Sequence, residues 1–172
     1  MSWNVDKNHS QITFTAKHMG IFTVRGQFEA FDIQFGYGEA DPENSTVSAK
    51  IEAASVNTNN TQRDGHLKSP DFFNADEYPY LTFESTRVDK LTAIAGKLYG
   101  NLTIRDQTHP VVLDVEFVGQ AKSPWGTISS GFLANGKIDR TQWGLTWNQA
   151  LETGGLLVGN EIGLHLEMEA VQ

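Results

Sequence analysis

Hydrophobic and polar residues alternate with a period of two along most of this chain. Residues 11–18 are the first example, with Ile12, Phe14, Ala16 and His18 on one side and polar or charged residues on the other. The same alternation returns in seven later segments, at residues 24–30, 47–53, 81–83, 94–104, 111–117, 132–138 and 162–168. Because a β-strand turns successive side chains to opposite faces, each segment predicts a strand with one buried side. The chain is therefore expected to be all-β, with about eight strands.

Short stretches of turn-forming residues separate most of these segments. They lie at residues 36–38 with 41–42, at 88–90, at 107–110 and at 123–126. Connections this short favour hairpins and therefore an antiparallel meander. Closing such a sheet into a barrel removes its exposed edges, so an eight-stranded barrel is the favoured arrangement. A sandwich of two sheets satisfies the same pattern and stays open at this point.

The alternation disappears between residues 57 and 79. Within this stretch Ser69 precedes Pro70 and Asp71, a combination that predicts the capped start of a short helix. We expect an insertion of one or two short helices here, and its apolar residues would pack over the end or flank of a barrel. No internal repeat, linker or low-complexity segment interrupts the remaining chain, so residues 1–172 are expected to form a single domain.

Small residues recur among the apolar positions of the predicted strands. They are Gly26, Ala30, Ala49, Ala53, Gly96, Gly100, Ala134 and Gly136. An eight-stranded barrel is close to the size at which side chains either fill the interior or leave room for one small ligand. If these positions point inward, the interior is under-filled and an apolar guest would complete it. Alternatively, small residues mark places where strands coil sharply or a helix packs outside; the pattern leaves both interpretations open.

Composition and charge exclude several classes of protein. The chain has 172 residues, of which 39% are hydrophobic and 20% charged, as in a globular domain and unlike a disordered one. Its formal net charge is −8 and no basic cluster is visible, so a nucleic-acid partner is not expected. It contains no cysteine, which excludes disulfides, cysteine-bound zinc and a thiol nucleophile.

The start of the chain bears on its location. The first ten residues have neither the basic nor the apolar region of a signal peptide, and no run of 18 apolar residues predicts a transmembrane helix. We therefore expect a cytoplasmic protein. A signal peptide removed ahead of Met1 would leave the same sequence and would make the protein periplasmic or secreted.

No motif in the sequence supplies a catalytic centre. The five histidines show no close metal-ligand spacing, and the nucleophile elbow of hydrolases and the phosphate loop are both missing. We expect no catalytic residue, metal or cofactor. Three groups nevertheless have two interpretations. His18, on an apolar face, suits either a hydrogen-bonded residue of the core or pocket mouth or a metal ligand. Residues 63–68 either meet a polar or anionic head group or hold the insertion in place. Trp143 and Trp147 either stack on a ligand or form a buried wall.

Taken in order along the chain, a series of spaced segments resembles the YceI-like polyisoprenoid-binding family. The segments are residues 3–6, 9–10, 14, 18, 24–28, 51, 54–58, 63–67, 69–73, 78–79, 83–86, 100–104 and 139–147. This resemblance covers nearly the whole chain and implies a lipocalin-like antiparallel barrel of eight strands, with a helical insertion, around a long isoprenoid chain. Members often have a glycine after the strand read at 102–104, where this chain has Arg105, and they often carry a signal peptide.

Residue sizes and the resemblance together lead to the following hypothesis. The protein binds an isoprenoid lipid, such as a polyprenyl phosphate or quinone, in the barrel for carriage, storage or sensing, and is not an enzyme. The apolar lining is expected from Phe14, Phe28, Ile51, Leu67, Phe72, Phe83, Leu98, Leu113 and Leu164, and the head-group neighbours from His18, Arg63 and His66. One alternative is an enzyme, such as a small-molecule hydrolase, that acts on a small lipid or sugar with His66 or carboxylates such as Asp64 as acid or base. The other is an interaction domain with a filled barrel. A homodimer is left open.

Overall fold

The computed structural model describes residues 2–38 and 40–172. Within them the chain forms ten β-strands, one α-helix and three short 3₁₀-helices. The strands are β1 (Asn4–His18), β2 (Phe22–Phe28), β3 (Phe31–Gly36), β4 (Thr46–Glu52), β5 (Val56–Asn57), β6 (Tyr80–Lys90), β7 (Ala95–Ile104), β8 (Gln107–Lys122), β9 (Ile128–Asp139) and β10 (Val158–Val171). The α-helix is α1 (Thr61–Lys68), and the 3₁₀-helices are Pro42–Asn44, Ala53–Ser55 and Arg140–Trp143.

The ten strands form one antiparallel sheet in the order β3-β4-β6-β7-β8-β9-β10-β1-β2-β5. Only Glu29 and Ala30 separate β2 from β3, and only one 3₁₀-helix separates β4 from β5. Across these interruptions the Glu29 N–H donates to the Ser55 carbonyl at 3.2 Å, and the Glu52 N–H donates to the Ala30 carbonyl at 2.9 Å. The two ends of the sheet are thereby joined. The predicted all-β barrel is confirmed, and ten strands are found instead of eight because two long strands are each interrupted.

The barrel is only partly closed. The ladder between β1 and β2 runs from Ile12 to His18. Beyond it, the first half of β1 is linked to β3 by an ion pair between Lys7 Nζ and Asp32 Oδ1, which lie 2.9 Å apart. A surface groove runs between this first half of β1 and β3.

Strand register places the apolar positions inside, as the alternation predicts. In β7 and β8 the buried hydrophobic residues are Leu98, Leu102, Ile104, Val111 and Leu113, whereas Val112 is exposed. Leu98 lies opposite Leu113 in the ladder, and opposed residues share one face of a sheet. The inward faces of neighbouring strands therefore form a continuous apolar wall.

The inward glycines do not leave the empty space that their size suggests. A Cβ atom added at Gly26 would lie 2.3 Å from Phe14 Cζ, and one at Gly100 would lie 2.3 Å from Phe83 Cζ. At Gly136 the added atom would lie 2.6 Å from Leu113 Cδ2. Large neighbours thus lie across these glycines and fill their volume. At these three positions the empty space inferred from residue size alone is therefore not found, because a cross-strand neighbour occupies it.

Two predicted turns are wrong. Residues 88–90 belong to β6, and residues 107–110 belong to β8. The register pairs Ile104 with Gln107, which leaves Arg105 and Asp106 as the turn. Pro110 is tolerated in β8 because the ladder with β9 begins only at Asp114, so this part of the strand is paired on one side.

The insertion contains a helix, but Ser69 ends it instead of starting one. Helix α1 begins after Asn60, whose side chain accepts a hydrogen bond from the Arg63 N–H at 2.9 Å. At the other end the Ser69 hydroxyl donates to the His66 carbonyl at 2.6 Å. Ser69 with Pro70 therefore marks the end of the helix, and turns follow up to Glu77.

Candidate functional site

A cavity of about 490 Å³ runs through the inside of the barrel. At one end it is lined by residues of the loop after β3 and of the β6–β7 hairpin, and at the other by α1 and the connection between β9 and β10. All twelve residues predicted to contact a ligand line this cavity: Phe14, His18, Phe28, Ile51, Arg63, His66, Leu67, Phe72, Phe83, Leu98, Leu113 and Leu164. Their contact with a ligand stays a prediction. The alternative of a barrel filled by its own side chains is inconsistent with this cavity.

The middle of the cavity wall is apolar and partly aromatic. The ring of Phe28 packs between the rings of Phe14 and Phe73, with centroid distances of 5.6 Å in both contacts. Ile51 and Leu98 are buried in the same wall. A surface of this kind attracts hydrocarbon through dispersion and water release and has no preference for a hydrogen-bonding group.

A second aromatic cluster, absent from the predicted residues, lies where the barrel opens between β1 and β3. Phe132 packs edge-on against Phe35 and Tyr37, with both centroid distances at 5.3 Å. Phe117 contacts Phe132 at 5.5 Å, and Trp3 contacts Tyr37 at 5.6 Å. The alternation in the sequence places Phe117 and Phe132 on the inward faces of predicted strands. None of the alternating segments includes the residues of β3, so their part in this cluster was not predicted.

At the α1 end the wall becomes polar. The His66 ring nitrogen Nε2 lies 2.9 Å from Asp71 Oδ2, and the ring packs edge-on against Trp147 and Phe72 with centroid distances of 4.5 and 5.0 Å. His18, at the end of β1, also lines the cavity. The contact with the Asp71 carboxylate and the packing against the rings of Trp147 and Phe72 together fix the orientation of the His66 ring.

Arg63 and Asp64 hold the insertion to the barrel through Thr58. Arg63 Nε donates to Thr58 Oγ1 and Arg63 Nη2 donates to the Thr58 carbonyl, both at 2.7 Å. Asp64 Oδ1 accepts from the Thr58 N–H at 2.8 Å and from its hydroxyl at 2.6 Å. Asp64 is engaged in this contact and does not line the cavity, so it is poorly placed to act as an acid or base on a bound molecule.

Arg140 is a cavity residue that was not predicted individually. It is only 3% exposed. Its Nε donates to the Gly159 carbonyl at 3.0 Å, and its Nη1 donates to the carbonyls of Leu145 and Trp147 at 2.7 and 3.0 Å. Burial lowers the pKa of the guanidinium, an effect that Asp139 partly opposes. The sequence signal available was its place in the segment 139–147 that carries the family resemblance.

The two tryptophans lie in different surroundings. Trp143 is 1% exposed and donates from Nε1 to the Leu102 carbonyl at 2.9 Å. Trp147 instead lines the cavity beside His66. Their spacing suggested a shared face, but Trp143 ends a 3₁₀-helix and Trp147 follows in a non-helical loop, so a strand-like alternation does not apply.

On the outside of the barrel, Asp6, His9 and Glu169 form a small charged cluster. Asp6 lies opposite Glu169 in the ladder between β1 and β10, and an irregularity after Asp6 brings His9 over both. His9 Nδ1 is 2.9 Å from Asp6 Oδ2 and 3.7 Å from Glu169 Oε2. The donor atoms lie within 4.8 Å of one another, a spacing that a metal ion can bridge, but exposed acidic groups commonly meet without one and we assign no metal site.

Fold and site together define a class of protein, an antiparallel β-barrel that encloses an apolar cavity and carries a helical insertion at one end. The chain belongs to the family of proteins with a YceI-like domain, which its sequence matches over residues 3–170. Within the described residues, none of the helices has the length and hydropathy needed to cross a membrane.

Relatives and solved structures agree with this assignment. A UPF0312 protein of Staphylococcus epidermidis is 36% identical over 168 residues, which cover 97% of this chain and 95% of the relative. The crystal structure of the Campylobacter jejuni YceI protein is 36% identical, with a TM-score of 0.79 and coverage of 91% of this chain and 89% of that one. A polyisoprenoid binding domain from Saccharophagus degradans shares the fold at 13% identity, with a TM-score of 0.65 and coverage of 99% and 98%.

Proposed function

We propose that the protein binds a long-chain isoprenoid lipid inside the barrel and serves to carry, store or sense it. The observation that carries the proposal is the apolar cavity, whose wall continues from one end of the barrel to the other. The ligand class comes from the YceI-like family and from the structural neighbour described as a polyisoprenoid binding domain. The volume of about 490 Å³ lies within the usual range for small-molecule sites.

The energetics favour a branched hydrocarbon chain in such a cavity. Burial of each CH₂ group contributes about 0.8 kcal/mol, so a five-carbon isoprenoid unit contributes about 3 kcal/mol or more before costs. Ordering a flexible chain and losing its free motion in solution offset part of this gain. A few buried units are therefore enough for tight binding without any hydrogen bond to the chain.

A binding role is also favoured over catalysis. Of the two residues considered as acid or base, Asp64 is engaged by Thr58 and does not line the cavity. His66, which Asp71 orients, is the residue on which an enzyme would depend. Recovery of a chemically unaltered lipid after incubation supports binding, whereas conversion of the lipid that is lost in a folded His66→Ala variant would favour an enzyme.

Extraction and uptake test the proposal. The purified protein is extracted with organic solvent for mass spectrometry, and the lipid-free protein is then incubated with a polyprenyl lipid. We expect an isoprenoid in the extract or uptake of the added lipid; an empty extract together with no uptake would contradict the proposal.

A pair of variants links uptake to the cavity. Ala134→Trp places an indole into the cavity from β9 and should abolish uptake, whereas Val112→Trp places the same group on the exposed face of β8 and should preserve it. Melting curves establish that both variants fold, and Ala16→Trp, which also points into the cavity, replaces Ala134→Trp if that variant does not.

A further inference from the structure

Large hydrophobic side chains are exposed on two neighbouring loops at one end of the barrel. Ile21 and Phe22, at the turn between β1 and β2, are 72% and 60% exposed, and Met19 in the same turn is also exposed. Leu156 is exposed in the connection between β9 and β10. These are four of the ten large hydrophobic residues exposed in the described part of the chain. Exposed apolar surface is therefore concentrated here, as at interaction sites.

A backbone hydrogen bond joins the two loops. The Met19 N–H donates to the Leu157 carbonyl at 2.8 Å, which brings the β1–β2 turn beside the chain that carries Leu156. The exposed side chains of the two loops therefore belong to one surface. We call this surface the rim patch and define it as Met19, Ile21, Phe22 and Leu156.

The β1–β2 turn carries an apolar residue where other types are usual. Met19 and Gly20 both have positive φ, 56° and 71°, and the Ile21 N–H donates back to the His18 carbonyl at 3.2 Å. Gly, Asn and Asp are the usual residues at positive φ in hairpin turns. Methionine costs backbone strain at this position, and its exposed side chain gains little from packing within the chain. This combination points to a contact made outside the folded chain.

The rim patch borders the mouth of the cavity. His18 and Leu157 line the cavity, and their chain neighbours Met19 and Leu156 are exposed beside it. A hydrocarbon chain that moves between a bilayer and the cavity would pass over these apolar side chains instead of through water, which such a chain avoids. Continuity with the cavity therefore favours a lipid bilayer as the occupant of the patch.

The charge beside the patch has the sign that attracts an anionic membrane. Residues 7–28, which include the β1–β2 hairpin, contain two lysines and one arginine and no Asp or Glu, in a chain of formal net charge −8. Lys17 and Arg25 are exposed in this hairpin and belong to none of the ion pairs found among the described residues. In the neighbouring loop, residues 145–157, Glu152 is the one carboxylate.

The opposite end of the barrel also exposes apolar residues, but carboxylates lie beside them. Leu91 is exposed in the β6–β7 hairpin. Glu43 accepts a hydrogen bond from the Lys90 N–H at 3.3 Å, and Glu116 lies opposite Ala95 in the ladder between β7 and β8. A carboxylate is thus close to both strands of this hairpin. An anionic membrane would repel these groups, so the rim patch is the better candidate for docking.

We infer that the rim patch is a membrane-docking surface that seats the cavity mouth on an anionic lipid bilayer. The apolar side chains enter the interface of one leaflet, and Lys17 and Arg25 face its negative surface. A few inserted side chains give reversible binding, which exchange of a lipid requires. The inference rests on the proposed lipid-binding function, because it gives the patch the task of bringing the cavity to the membrane that holds the lipid.

Vesicle sedimentation tests docking separately from lipid uptake. The protein is mixed with vesicles of phosphatidylcholine alone or of phosphatidylcholine with phosphatidylglycerol, and neither contains an isoprenoid. We expect binding to the mixed vesicles that weakens at high salt and that is about tenfold weaker in Ile21→Asn. Leu91→Asn, the matched change at an exposed aliphatic residue of the opposite end, and Trp125→Ser should bind like the wild-type protein. Leu156→Asn replaces Ile21→Asn if melting curves show that the latter does not fold.

Charge variants test the preference for an anionic surface. Arg25→Gln should weaken binding to the mixed vesicles about fivefold and leave binding to phosphatidylcholine unchanged, because each Lys or Arg near an anionic surface contributes about 1 kcal/mol. Glu152→Gln should strengthen binding to the mixed vesicles. Lys122→Gln, the same loss of charge at an exposed position of β8, is the matched control and should have no effect.

Several results would overturn the inference. They are equal binding of wild-type protein and Ile21→Asn, or a loss of binding in Leu91→Asn or Trp125→Ser instead. Dimerisation that Ile21→Asn abolishes, without vesicle binding, would identify the patch as an interface between two copies of the chain. Protein that binds no vesicles but takes up a polyprenyl lipid from detergent micelles would refute docking and leave the proposed lipid-binding function intact. Vesicle binding with no uptake from micelles or vesicles would support the docking surface and refute lipid binding.

Discussion

Gly26 shows how one small residue shapes the cavity wall. Phe14 pairs with Gly26 across the β1–β2 ladder, and its ring occupies the place where a side chain of Gly26 would lie. The ring then contacts Phe28, which continues the wall. The glycine therefore fixes the position of an aromatic ring, and the cavity lies beyond that ring.

Replacement of Gly26 by alanine should destabilise the protein by about 1–3 kcal/mol, because the new Cβ atom would overlap Phe14 and Thr58 in a packed wall. Gly65→Ala is the matched control, since an added Cβ there meets no atom within 4 Å. In helix α1 that change should stabilise by about 0.5–1 kcal/mol. Chemical denaturation measures both, and equal effects of the two changes would contradict this account of packing.

The charged cluster on the outer face provides a prediction about pH. The hydrogen bond and charge of Asp6, with a further contribution from Glu169, raise the pKa of His9 above its usual 6.5. A raised pKa in the folded state means that protonated His9 stabilises the fold. This stabilisation is fully present below the pKa of the unfolded chain and is lost as pH rises through the higher folded pKa.

An NMR titration of the His9 ring should give a pKa above 6.5, and Asp6→Asn should lower it towards that value. The same substitution should weaken the pH dependence of unfolding as the pH rises above 6.5, because the folded pKa lies above that value. The ring of His165, hydrogen-bonded to Asn135 instead of a carboxylate, serves as an internal control. An unchanged His9 pKa in Asp6→Asn would rule out this pairing.

At the scale of the elements, the existence of the strands could be predicted from the sequence. The residues at which strands end and at which α1 begins could not. Alternation identifies a strand because each residue reports its own face, but the ends depend on partners, as residues 107–110 show by pairing with β7. Asn60 and Ser69 are both capping residues by type, and only the completed fold shows which end of the helix each occupies. Arg140 was not predicted as a cavity residue for a similar reason, because its burial arises from contacts with residues distant in the sequence.

The start of helix α1 should be sensitive to its capping residue. Asn60→Ala removes the side-chain acceptor of the Arg63 N–H and should cost about 1 kcal/mol. Because the lost cap belongs to α1, amide exchange should accelerate in residues 58–68 before it does in the barrel strands. This segment contributes His66 and Leu67 to the cavity. Gln62→Ala, an exposed change inside the helix, should alter stability by less than about 0.5 kcal/mol. Uniform acceleration across barrel and insertion would mean that α1 does not open independently.

At the scale of the whole molecule, the cavity couples ligand binding to stability. The apolar walls meet at a space of about 490 Å³, so the unliganded barrel lacks contacts that a hydrocarbon chain would supply. The barrel is also only partly closed between β1 and β3, where an ion pair replaces ladder hydrogen bonds. A ligand that touches both sides of the barrel would therefore stabilise the assembled sheet and not one strand alone.

Removal of bound lipid should lower the melting temperature, and its return should restore it. A ligand that binds only the folded state adds about 2.7 kcal/mol when its free concentration is 100-fold above Kd. For a chain of 172 residues this corresponds to a shift of roughly 5–10 °C. In Ala134→Trp the same addition should cause no shift, since the indole occupies the space of the lipid, whereas Val112→Trp should respond like the wild-type protein. Equal melting temperatures for lipid-free and lipid-loaded wild-type protein would show that the chain does not complete the barrel interior, because binding inside the folded barrel alone must stabilise it.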